Sequence, residues 1–183
     1  MRYLYLMALS CLLSAGSMAV QTVPPELAET TEKKQGTVVL LKQGDKMPDF
    51  IFEDIQGRRV SLKSFRGKYV LIDVWATWCG VCVRETPYFE RLEEEFHNKR
   101  IAFVAVSADK KRENWEKAVK MKRNYVKQWI CPEGEEAPML EALGIQGIPR
   151  FVLLDRKGRI ADMEFEFPSR PEAGKKLLKL KGI

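Results

Sequence analysis

Tyr69-Val70-Leu71-Ile72-Asp73-Val74-Trp75-Ala76-Thr77-Trp78-Cys79-Gly80-Val81-Cys82 is the most informative stretch of this chain. Its first part, Tyr69 to Ala76, is β-branched, aromatic and apolar without alternation, as a central strand covered on both faces should be. Two further runs repeat that pattern: Ile101-Ala102-Phe103-Val104-Ala105-Val106 and Phe151-Val152-Leu153-Leu154. Between the first two runs, from Pro87 to His97, Phe89, Leu92 and Phe96 recur at helical spacing beside Glu90, Glu93, Glu94 and Glu95. Asp155-Arg156-Lys157-Gly158 predicts a tight turn after the third run. Met163-Glu164-Phe165-Glu166-Phe167 alternates and predicts a half-exposed antiparallel strand. Leu177, Leu178 and Leu180 among lysines predict a last helix over about Glu172 to Lys181. The order strand–helix–strand, then strand–hairpin–strand–helix, gives an α/β sandwich with a mixed central sheet.

The 183 residues suffice for one domain with a real core. An apolar fraction of 45% and a charged fraction of 31% exclude a globally disordered chain. Four cysteines are too few for a disulfide-built scaffold. Met1-Arg2-Tyr3, the apolar run Leu4 to Leu13 and the small residues Ser14 to Ala19 read as an export signal over residues 1–19, cleaved after Ala19. The apolar run is too short to span a bilayer. Lipid attachment at Cys11 is disfavoured, because Ala8-Leu9-Ser10 is a poor lipobox and Cys11 sits inside the run. Residues 20–43 read as a flexible leader and residues 44–183 as the single folded domain. The protein is therefore expected outside the cytoplasm, in the periplasm, where a dithiol tends toward the disulfide unless something keeps it reduced.

Cys79 and Cys82 stand where the first central strand gives way to a helix. Unpaired backbone N–H groups and the positive end of a helix dipole stabilise a thiolate there, and the thiolate is the nucleophile of disulfide exchange. The three-residue spacing lets the second sulfur reach the first after one helical turn and resolve a mixed disulfide. The competing readings are an inert structural disulfide and half of a zinc site, for which His97 and Cys131 are the remaining partners. Asp73 interrupts the apolar strand. Buried without a cation it would have a raised pKa and exchange protons near neutrality; turned to a polar rim or paired, it would not. Cys131 reads as an unpaired, partly buried thiol, with a regulatory or intermolecular disulfide as the alternative. Lys110, Lys111, Arg112, Lys117, Lys120, Lys122, Arg123 and Lys127 read as a solvated helix face, with no nucleic-acid motif beside them.

Taken together, Asp73 to Cys82, Cys82-Val83-Arg84-Glu85-Thr86-Pro87, Gly144-Ile145-Gln146-Gly147-Ile148-Pro149 and Gly44-Asp45-Lys46-Met47-Pro48-Asp49-Phe50 resemble a thioredoxin-fold thiol–disulfide oxidoreductase of the exported TlpA/ResA-like branch. The resemblance covers about residues 44 to 183. It implies a thioredoxin-like sandwich with an N-terminal hairpin from Phe50 to Leu62 and a helical insertion after Val106-Ser107. It further implies that Cys79 is the attacking thiolate and Cys82 the resolving thiol. Asp73 would take the proton of Cys82, and Pro149 would be the cis-proline facing the disulfide. The Ile148 backbone would pair with an extended substrate, and Trp78 would wall the contact surface that Gly80 and Val81 share. Glu85 fits the branch pattern, either as a first-turn acid or as a redox modulator.

Two positions depart from thioredoxin. Gly80-Val81 replaces Gly-Pro between the cysteines, a dipeptide that tunes potential in this superfamily, and Arg150 stands where Thr is usual. A cation there would stabilise the thiolate or pair with Asp73 or Glu85. The implied function is a protein disulfide reductase, working as a monomer without metal or organic cofactor. Its partners would be disulfide-containing proteins and a membrane-bound thiol donor. A thiol peroxidase is the second reading, disfavoured because Thr77 is two residues before Cys79 rather than three. A copper-handling module is the third, disfavoured by the close Cys spacing and the poor placement of His97.

Overall fold

The computed structural model describes residues 39–120 and 126–183. The proposed signal, Cys11, most of the leader, and Lys122 and Arg123 lie outside those residues. In chain order the elements are β1 (Ile51–Asp54), β2 (Arg59–Ser61), β3 (Tyr69–Trp75), α1 (Gly80–Phe96), β4 (Ile101–Ser107) and α2 (Arg112–Lys120). These are followed by β5 (Lys127–Ile130), α3 (Pro138–Ala142), β6 (Arg150–Leu154), β7 (Ile160–Asp162) and α4 (Pro171–Leu178). The seven strands form one mixed sheet in the order β2-β1-β5-β4-β3-β6-β7. This is the α/β, thioredoxin-like sandwich with helices flanking a mixed sheet that the sequence implies.

All seven residues of β3 are buried. The reason is its place: β4 runs parallel on one side, pairing Trp75 with Ser107, and β6 runs antiparallel on the other, pairing Asp73 with Phe151. Alternation then divides the core. Leu71, Trp75, Phe103 and Phe151 face α1 through Phe89, Leu92 and Phe96, α4 through Ala173 and Leu177, and α2 through Trp115. Val70, Ile72, Val74, Val104 and Val152 face the opposite layer, which contains Met139 and Leu140 of α3 together with Phe52 and Leu62.

Two elements differ from expectation. The strand after the Asp155 turn is Ile160–Asp162, not Met163 to Phe167. A register shift between Leu153 and Leu154 accompanies the early end, and the Asp162 carboxylate accepts the Glu164 N–H (3.0 Å), turning the backbone out of the ladder. Phe165 returns to the sheet through one bond, its N–H to the Phe151 carbonyl (2.9 Å), which is why the alternation survives without a strand. The second difference lies in the insertion, which is not purely helical. Its stretch before Cys131 is β5, parallel to β4 and antiparallel to β1, so it joins the hairpin to the main sheet. Sequence alone shows four residues there, too few to establish a period. Trp129 of β5 stacks on Phe52 (5.5 Å) and Phe65 (5.6 Å), and those ring contacts fix where the hairpin sits.

Because β3 and β4 are parallel, their carboxyl ends open on the same edge of the sheet, the usual place for chemistry in α/β folds. Residues 76–79 and 107–109 meet there.

Candidate active site

The backbone of Cys79 is extended (φ −84°, ψ 100°), so this residue is the N-cap of α1. Its sulfur occupies the position in which Ser or Asp usually caps a helix, and it accepts the Cys82 N–H at 3.1 Å. The capping follows directly from the chain: the strand must end and the helix must begin within four residues. Cys79 and Cys82 are joined by a disulfide with an S–S distance of 2.07 Å. Cys79 is 8% exposed and Cys82 1% exposed, so an incoming sulfur meets Cys79 first. The Cys79 N–H donates to the Ala76 carbonyl (3.1 Å), and the Val83 N–H donates to the Cys79 carbonyl (3.0 Å).

The Ile148-Pro149 peptide is cis, and the Ile148 carbonyl oxygen lies 3.6 Å from the Cys79 sulfur. Trp78 stands 59% exposed and Val81 41% exposed beside the buried sulfurs in the chain. A groove runs from Trp78 along Leu140, Ile145, Gln146, Gly147 and Ile148, with Glu135 at its rim. A second, more polar groove follows Pro149 and Arg150 toward Glu164, Glu166 and Arg170. Gly80 is exposed at the start of the helix, where an added Cβ would come within 3.8 Å of the Arg84 guanidinium.

Asp73 is 3% exposed. By alternation it shares the face of Leu71 and Trp75, the face on which α1 packs and whose core includes Cys79 and Cys82. The structure thus brings Cys79, Cys82, Ile148 and Pro149 together, with Asp73 in the strand behind them.

Arg150 and Glu85 do not pair with one another. The Arg150 guanidinium is held by Glu164 in an ion pair. The Glu85 carboxylate accepts the Ser169 N–H (3.0 Å) and the Ser169 hydroxyl (2.8 Å), tying α1 to the segment before α4. Glu85 is 9% exposed, so the acid of the sequence reading is a buried tie between α1 and the segment before α4. Pro87 leaves the Val83 carbonyl without its helical donor, and the Thr86 hydroxyl donates to the neighbouring Cys82 carbonyl at 3.1 Å.

Asp109, Ser107 and Ser169 escaped the sequence reading. Asp109 is 3% exposed and binds Thr77, 32 residues earlier in the chain. The only signal was the polar pair Ser107 and Asp109, separated by Ala108, at the close of an apolar strand. Cys131 is a free, buried thiol at the other layer of the core. Burial, reinforced by nearby Glu133, pushes it up to about 12.

A dithiol held in this way can attack a disulfide with its outer sulfur and close on itself with the inner one, passing two electrons outward. The family model Redoxin matches residues 42–177. Thiol-disulfide oxidoreductase ResA of Bacillus thuringiensis subsp. konkukian is 31% identical over 123 residues, covering 64% of this chain and 66% of that protein, so the chain spans just under two thirds of that relative's length. Thioredoxin-like protein YneN of Bacillus subtilis is 31% identical over 158 residues, covering 82% of this chain and 86% of that protein. The crystal structure of the thioredoxin domain of a thiol-disulfide oxidoreductase from Bacteroides vulgatus superposes with a TM-score of 0.68 at 32% identity, covering 76% of this chain and 97% of that one.

Proposed function

The chain belongs to the Redoxin family, and from that membership we propose that it is an extracytoplasmic thiol–disulfide oxidoreductase that reduces disulfides in other proteins. One observation carries the reading: a Cys79–Cys82 disulfide capping the N-terminus of α1, with its outer sulfur 3.6 Å from the Ile148 carbonyl before cis-Pro149.

In the reduced protein Cys79 is the thiolate, stabilised by the N–H groups of the first turn of α1. It attacks one sulfur of the substrate disulfide. A mixed disulfide forms and the other substrate sulfur leaves as a thiolate, which takes a proton from water. Cys82 then loses its proton to the Asp73 carboxylate and attacks the Cys79 sulfur. The Cys79–Cys82 bond forms, the mixed disulfide breaks, and the second substrate thiol departs. The substrate gains two electrons and the protein loses two. A membrane-bound thiol donor reverses the oxidation by the same exchange. The substrate segment lies extended against the Ile148 backbone, over the groove walled by Trp78 and Ile145, with Gly80 and Val81 beneath it and Arg150 beyond Pro149. The protein works as a monomer, and the apolar rim of Trp78 and Val81 is the contact surface for other proteins.

Location and direction are parts of the same proposal. The export signal supports the first, and the ResA-like relatives are consistent with it. Insulin reduction by the chemically reduced protein tests the chemistry. Cys79→Ser should abolish turnover, and Cys82→Ser should stop after attack and accumulate the mixed disulfide, visible by mass. Full reductase activity in Cys79→Ser would sink the proposal. The Cys79/Cys82 reduction potential, measured against glutathione, separates a reductase from an oxidase.

A further inference from the structure

Asp109 has no part in the exchange just described, yet both its carboxylate oxygens are hydrogen-bonded beside the site. It lies two residues past the end of β4 and is 3% exposed. One carboxylate oxygen accepts the Thr77 N–H (3.0 Å) and the Ser107 hydroxyl (2.6 Å); the other accepts the Thr77 hydroxyl (2.7 Å). The Asp109 N–H in turn donates to the Ser107 hydroxyl oxygen (3.0 Å). The parallel ladder of β3 and β4 ends at Trp75 and Ser107. Beyond it, the Ala108 N–H reaches the Trp75 carbonyl (2.8 Å), and Asp109 carries the coupling on to Thr77.

We propose that Asp109 is a positioning residue for disulfide exchange: it clamps Thr77 to the end of β4 and thereby holds Trp78 and the Cys79 sulfur at the N-terminus of α1. The proposal rests on Cys79 being the attacking sulfur. Stabilisation of an anion by a helix terminus falls off within one turn, so the thiolate keeps it only while the preceding loop is fixed. In that loop Ala76 is fully buried but Thr77 is only partly so and Trp78 is exposed, and the bond from the Cys79 N–H to the Ala76 carbonyl is internal to residues 76–79 and does not tie them to another strand. Asp109 supplies the anchor from just beyond the end of β4, with donors meeting both its oxygens.

The clamp acts by geometry, and an amide can reproduce it. In an Asp109→Asn side chain turned so that its oxygen meets the Thr77 N–H and the Ser107 hydroxyl, the NH2 donates to the Thr77 hydroxyl oxygen. Alanine can do neither.

The full chain is reduced, and the alkylation rate of Cys79 by iodoacetamide is followed against pH, with the alkylated residue identified by peptide mass. Insulin reduction is measured alongside. Asp109→Ala should move the Cys79 titration midpoint to higher pH and lower kcat/KM about 10-fold, inside the ~10²-fold that an ångström of misplacement can cost. Asp109→Asn should recover most of both losses. Thr77→Val, which removes one bond from a partly exposed residue, should shift the midpoint in the same direction by less, and it decides the matter if Asp109→Ala does not fold. A wild-type midpoint and turnover in folded Asp109→Ala, or in Thr77→Val where that variant must stand in, would overturn the clamp. So would Asp109→Asn behaving like Asp109→Ala. Full activity in Cys79→Ser would instead strike the functional reading, while the alkylation midpoint would still judge the clamp on its own.

Discussion

Two buried sulfurs in this chain have opposite surroundings. Cys79 caps a helix beside the exposed Trp78, whereas Cys131 lies 2% exposed among the apolar side chains of the other layer. The first stands at a helix N-terminus in a disulfide with Cys82; the second is held neutral, with burial as the main cause and Glu133 as the lesser one, raising its pKa from 9.0 to about 12. The consequence for stability has a definite sign. Between the unfolded and folded values the native thiol keeps a proton that the unfolded chain has released, so stability present below pH 9.0 is lost as pH rises toward 12. The full difference is about 4 kcal/mol, at ~1.4 kcal/mol per unit. Urea unfolding at pH 8 and pH 11 should show a steeper loss for wild type than for Cys131→Ala; parallel losses would contradict the buried-thiol account. Asp73 and Cys82, buried on the far side of the sheet from Cys131, are by contrast on the face against which α1 packs.

At the scale of elements, the hairpin shows how a local signal and a distant contact divide the work. Asp54 ends β1, and its carboxylate accepts the N–H groups of Gln56 and Arg58 (both 2.9 Å) and the Arg58 guanidinium (2.7 Å), while Gly57 takes the left-handed turn position at φ 76°. Burial alone would push this carboxyl up, but the Arg58 backbone and side chain and the Gln56 N–H together hold it below the ordinary aspartate value. The hairpin stabilisation is therefore present above about pH 4 and disappears as pH falls through the folded-state value. Unfolding at pH 6 and pH 3 should show wild type losing more stability on acidification than Asp54→Asn, which cannot titrate there; an equal loss would mean the carboxylate contributes nothing. The hairpin is also held from outside. Arg112 at the start of α2 bonds Glu53 (2.5 Å) and the Asp54 carbonyl (2.9 Å), so one residue read from sequence as part of a solvated basic face instead fastens the insertion to β1. Its i,i+4 bond to Glu116 (2.7 Å) is the kind of pairing a helical reading does anticipate.

At the scale of the whole molecule, the sheet separates two apolar layers, and the insertion completes one of them. Trp115 of α2 is fully buried in the layer shared with α1 and α4, with the Arg112 guanidinium 5.4 Å from its ring centroid. Trp115→Ala should cost about 3–5 kcal/mol, lowering the melting temperature by roughly 10 °C for a domain of this size. Differential scanning calorimetry checks this, and a shift of ~2 °C or less would mean that the insertion is not part of the core. Among the described residues no helix is long and apolar enough to cross a membrane. What the sequence by itself determined is whatever depends on neighbours along the chain: the three central strands, the helix after Trp78-Cys79-Gly80-Val81-Cys82, the turn at Asp155, and the cysteine pair as the reactive feature. Those follow from periodicity and spacing, which are local. Only the tertiary structure decided that Ser169 takes Glu85, that Glu164 takes Arg150, that a four-residue strand joins hairpin to sheet, and that Asp109 grips Thr77. Each of those depends on which backbone lies beside which after the sheet has formed, between residues 14 to 84 positions apart, and no local pattern encodes that proximity.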